Sequence, residues 1–119
     1  MNQESEARLS RAGIQVKKGL ERFMNNEALF ARFLKKFPAD PNLKKLREAF
    51  AANDREGALT ASHTLKGVCG NLSMDVLFEL FGRQVALLRQ EEWDKAAAMM
   101  PEIEKVYAET LAAIEECGL

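Results

Sequence analysis

The sequence predicts an all-α fold: an up-and-down antiparallel four-helix bundle with short additional N-terminal helices. Three observations carry this. Only three prolines and seven glycines interrupt 119 residues. Apolar side chains recur at intervals of three and four instead of alternating, and the strong helix formers Ala, Leu, Glu and Lys dominate. At 47% hydrophobic and 29% charged, the chain has an average globular composition and the length for one core.

Taken in order, residues 1–12 are polar and weakly patterned, and are expected to be flexible or loosely attached. The helical bundle domain is expected to span 13–119. From Ile14 to Met24, Val16, Leu20, Phe23 and Met24 recur at helical spacing, interrupted by Gly19. Asn26 can cap the next helix, whose stripe of Leu29, Phe30, Phe33, Leu34 and Phe37 makes it a core element, and Pro38 stops it. Asp40 before Pro41 reads as an N-cap with proline at the first helical position, and Leu43, Leu46 and Phe50 continue the pattern to Asn53. Asp54 can cap a helix from Arg55 to Leu72. Another spans Asp75 to Gln90, apolar on more than one face. The last, Glu92 to Glu116, repeats Trp93, Ala96, Ala97, Met100, Ile103, Tyr107, Leu111 and Ile114 at bundle spacing. Pro101 inside it removes a backbone hydrogen bond, so a kink or a break is expected there.

Composition excludes several classes of function. Seventeen basic residues against 18 acidic ones leave a net charge of −1, which gives no general attraction for nucleic acid or an anionic membrane. No apolar run is long enough to span a membrane, and the start MNQESEARLS lacks the basic-then-apolar order of a secretory signal, so a cytoplasmic location is expected. Cys69 and Cys117 form no CxxC pair and read as ordinary reduced side chains. One histidine in the whole chain argues against zinc and iron sites, which usually draw on several His or Cys ligands. No glycine-rich phosphate loop is present, so the chain has no recognisable means of binding a nucleotide.

That histidine, His63, is where chemistry concentrates. On a wheel of about 100° per residue with His63 at zero, Ala61, Leu65, Val68, Cys69 and Leu72 fall between about 140° and about 240°. His63 therefore faces away from the core. Lys66 falls at about 300°, Gly67 at about 40° and Gly70 at about 340°, flanking the imidazole one and two turns along. Each glycine costs about 0.5–1 kcal/mol relative to alanine in a helix, so its retention needs a reason. One reason is steric access for another protein's active site; the other is close packing of a neighbouring helix. Lys66 is a point charge suited to phosphate oxygens. Taken alone, each of these residues reads as an ordinary solvated side chain; their juxtaposition is the informative feature.

The segment His63-Thr64-Leu65-Lys66-Gly67-Val68-Cys69-Gly70-Asn71-Leu72 resembles the signature of histidine-containing phosphotransfer (HPt) domains, carriers in two-component phosphorelays. The segment Gly13-Ile14, Gly19 to Phe23, Asn26 and the Leu29 to Phe37 stripe are similar to what precedes that signature in the family. The resemblance implies a four-helix bundle whose His63 accepts a phosphoryl group from one receiver domain's aspartate and passes it to another's. Lys66 would steady the phosphoryl oxygens and Gly67 would leave room for the receiver. It also implies no kinase activity in the chain itself and no resident cofactor, with Mg supplied by the partner receiver. The expected partners are a receiver domain, a hybrid histidine kinase or both, with no nucleic acid or membrane partner, and the chain is expected to be a monomer.

Two positions depart from the family pattern. Ser73 stands where many members have glycine, and Val85 where many have an acidic residue. Leu59, at about 320° on the wheel, extends an exposed apolar patch. Leu59, Gly70, Phe78 and Val85 are the expected receiver-docking residues, although Phe78 and Val85 are also compatible with turning inward. The alternative function is a helical adaptor that docks a receiver or kinase without exchanging phosphate. A hydrolase using His63 as base lacks a paired Ser, Cys or Asp at an evident spacing. Met99 and Met100 and Trp93 read as packing residues, Lys35-Lys36 and Lys44-Lys45 as a solvated face, and Cys69 as inert.

Overall fold

Eight α-helices and one 3₁₀ turn follow one another along the chain, and the computed structural model describes every residue from Met1 to Leu119. They are α1 (Gln3–Arg11), α2 (Val16–Arg22), α3 (Glu27–Lys36), the 3₁₀ turn Phe37–Ala39, α4 (Asn42–Ala51), α5 (Arg55–Asn71), α6 (Asp75–Arg89), α7 (Trp93–Ala98) and α8 (Met100–Glu116). The chain is all-α. Helix α5 is central, packing most extensively on α6 at one side and α4 at the other, while α8 closes against α6, α3 and α1. Phe30, Leu34, Leu46, Leu65, Cys69, Phe81 and Ile103 are fully buried in one core.

The caps explain the boundaries. Asn26 accepts from the Leu29 amide at 3.1 Å, and Asp54 from the Gly57 amide at 2.9 Å, each satisfying a donor that the helix leaves unpaired. Asp40 accepts from the Asn42 amide at 2.8 Å, but it is not the N-cap expected: Pro41 takes that position and α4 begins at Asn42. The turns after α4, α5 and α6 share one device. Asn53, Ser73 and Glu91 adopt positive φ, and the next amide donates to the carbonyl five residues back. These bonds run Asp54 to Ala49, Met74 to Cys69 and Glu92 to Leu87. Connections this short reverse the chain, so α4, α5 and α6 pack as antiparallel neighbours.

The final helical pattern is broken rather than bent. Met99 ends α7 and Pro101 lies in the first turn of α8, where its missing N–H costs nothing. Gly19 does not interrupt α2. It admits the Phe30 ring, which fills the place where a Cβ would stand. Phe33, expected in the core, is 42% exposed.

The N-terminal expectation is corrected. Residues 1–12 are not a loose appendage: Asn2 caps α1, Leu9 is fully buried in the same core as Ile14, and Arg8 pairs with Glu116 of α8. The Cys117 thiol also reaches the Ser5 carbonyl at 3.5 Å. A single leucine among polar residues is too faint a pattern to show this attachment. Beyond it, Gln15 donates to Ser73 and Asp75 to Gly13, stapling the segment before α2 onto the turn between α5 and α6.

Candidate functional site

Helix α5 divides into two stripes. Ala58, Ala61, Ser62, Leu65 and Cys69 are buried, whereas Glu56, Thr60, His63, Thr64, Gly67 and Asn71 are exposed. The imidazole of His63 stands in the middle of the exposed stripe, as the wheel predicts. Thr64 is turned back on its own helix, its hydroxyl donating to the Thr60 carbonyl at 2.8 Å. Burial pushes the Cys69 thiol well above its ordinary range, in keeping with an inert core side chain.

The two flanking glycines serve different ends. A Cβ at Gly67 would find no atom within 4 Å, so this side of the imidazole is open space. A Cβ at Gly70 would lie 2.9 Å from Cδ1 of Phe78, so Gly70 seats a resident ring. Of the two reasons for retaining a glycine, close packing is the one seen at Gly70, which is half-buried. Lys66 is half-buried along α6, its Nζ 5.7 Å from the centroid of the Phe78 ring. Its Cε passes 3.7 Å from the place a Cβ would occupy at Gly82.

Of the apolar residues expected around His63, Phe78 is 42% exposed and Leu59 half-buried in a shallow cleft beside Leu88 and Trp93. Val85 is a correction. It is 1% exposed and cannot touch a partner. Helix α6 is apolar over more than one face, so helical spacing alone does not say which face turns inward.

Two features escaped the sequence reading. Gln84, a buried polar residue of α6, accepts from the Ser62 hydroxyl at 2.9 Å and donates to the Ala96 carbonyl at 3.0 Å. This fully buried link ties the residue preceding His63 to α6 and α7, fixing the rotation of α5. A concavity of about 620 Å³ lies beside the C-terminal half of α5, lined by Phe23, Phe33, Phe37 and Val68 with Arg22 and Lys36 among its polar residues. No group of three or more His, Cys, Asp or Glu side chains is placed to hold a metal ion. No helix is long and apolar enough to cross a membrane.

Among known families, the Hpt domain matches this chain. The sequence model of the Hpt domain covers residues 28–115, from the first turn of α3 nearly to the end of α8, and so includes the whole stripe around His63. No curated protein and no solved structure matches the chain.

Proposed function

Because this chain belongs to the Hpt domain family, the phosphotransfer domains of two-component phosphorelays, we propose that His63 is its phosphoacceptor. It would take a phosphoryl group from the aspartyl phosphate of one receiver domain and return it to the aspartate of another. The observation that carries this reading is the pairing of an exposed imidazole with unobstructed space at Gly67. An ordinary surface histidine needs no such clearance, whereas a nucleophile that must enter another domain's active site does.

The chemistry is a displacement at phosphorus. One ring nitrogen of the neutral imidazole donates its lone pair to the phosphoryl phosphorus, forming a P–N bond as the acyl P–O bond breaks. The departing aspartate carboxylate keeps that electron pair, and the other ring nitrogen keeps its proton. Lys66, one turn along, is within reach of the phosphoryl oxygens as a neutralising cation. Mg and the acidic cluster that position the phosphoryl group belong, on this reading, to the receiver, so this chain contributes nucleophile, cation and clearance. It acts as a carrier and not as a kinase.

Incubation with a phosphorylated receiver that recognises it should give the protein an acid-labile, alkali-stable phosphate. In His63→Gln that label disappears while the helical circular-dichroism spectrum is unchanged. A label that survives the substitution contradicts the assignment, and binding without label supports a docking adaptor instead.

A further inference from the structure

We infer that Phe78 is a positioning residue for phosphotransfer, holding the Lys66 ammonium beside His63. This rests on the phosphoacceptor reading above. The geometry has three parts. The Lys66 Nζ lies 5.7 Å from the centroid of the Phe78 ring, within the range where a cation is attracted to an aromatic face. The ring occupies a slot that exists because Gly70 has no Cβ, which would otherwise stand 2.9 Å from it. One turn along α6, the lysine stem passes Gly82, its Cε 3.7 Å from where a Cβ would stand, the distance of an ordinary van der Waals contact.

Phe78 is 42% exposed and lies outside the buried core cluster, so Phe78→Leu, which keeps an apolar side chain in the slot, should leave the fold intact. What the ring does is restrict a cation that otherwise has four rotatable bonds. A lysine held one turn from the imidazole confronts the incoming phosphoryl group already in place, and the freedom it must lose on reaction is smaller. Gly70 and Phe78 thus act on the reaction only through Lys66.

The test compares wild type, Phe78→Leu, Phe78→Tyr, Lys66→Ala and the double variant Phe78→Leu with Lys66→Ala. Each is assayed for phosphate uptake from a phosphorylated receiver, and the three that keep Lys66 also for the NMR positions of its ε-methylene protons. Ring current should shift those protons upfield in wild type and Phe78→Tyr but not in Phe78→Leu. Uptake should slow by about twofold to fivefold in Phe78→Leu, the range expected from one exposed cation–π contact, and recover in Phe78→Tyr. In the Lys66→Ala background the Phe78→Leu change should have no further effect. Equal slowing with and without Lys66, or no recovery with tyrosine, overturns the inference alone. A wild-type protein that takes up no label removes the phosphoacceptor reading, and this inference with it.

Discussion

Gly67 and Gly70 stand three residues apart on one helix, and they differ in what fills the space their missing side chains leave. At Gly67 nothing does; at Gly70 the Phe78 ring does. The helix-propensity cost is the same at both, about 0.5–1 kcal/mol relative to alanine, so propensity cannot say what each is for. The neighbours can. A vacancy beside an exposed imidazole leaves room for a visitor, and a filled slot is internal packing. Ser73, three residues further on, is a third case. It holds φ at 54°, a conformation glycine adopts readily, without being glycine.

The most severe way to break this contrast is to fill the vacancy. Gly67→Trp should slow phosphate uptake from a receiver by on the order of 100-fold, since small misplacements at a reacting centre have effects of that size. Because the side chain extends into solvent, the urea midpoint should stay near that of wild type. Comparable loss of stability and of transfer would mean that the glycine serves the fold.

The buried side of the same helix should respond in the opposite sense. Ser62→Ala leaves the Gln84 side-chain oxygen without its donor in a fully buried setting, so stability should fall by about 1–3 kcal/mol in urea denaturation. Any effect on transfer should follow only from the rotation of α5. A neutral Ser62→Ala would show that the link does not fix that rotation.

Alanine then separates the glycines directly. Gly67→Ala should stabilise by about 0.5–1 kcal/mol, because nothing opposes the added methyl group. Gly70→Ala should yield less or none of that gain, since the Phe78 ring must first move, and the upfield Lys66 resonances should shift with it. Identical gains would erase the distinction. The smallest effect is expected at Ser73, where Ser73→Gly should relieve backbone strain and raise stability by about 0.5 kcal/mol, read from the thermal midpoint.

Where one local interaction decided the outcome, the sequence was legible. Asn26 and Asp54 cap the helices they precede, Pro101 marks a boundary, and the wheel placed His63 outward because the apolar stripe of α5 occupies one face only. On α6 the same reasoning failed, since its apolar residues wrap more than one face and Val85 faces the core. Leu9 is the one buried side chain of α1, and a single apolar residue leaves no periodic trace. Gln84 is polar and buried because two partners from distant parts of the chain satisfy it, and that pairing exists only after the helices pack. The roles of Gly67 and Gly70 were likewise undecidable before their neighbours were known, because a missing side chain reads the same whether the gap is empty or filled.

That a visiting domain lands on the exposed stripe of α5 is the central claim. A titration of the ¹⁵N-labelled protein with an unphosphorylated receiver domain, chosen because its phosphorylated form passes phosphate to this protein, tests it most directly. The largest amide shifts should fall on Thr60, His63, Thr64, Gly67 and Asn71, with α8 unaffected. Shifts centred on α8 or α1, leaving Gly67 unmoved, would contradict it.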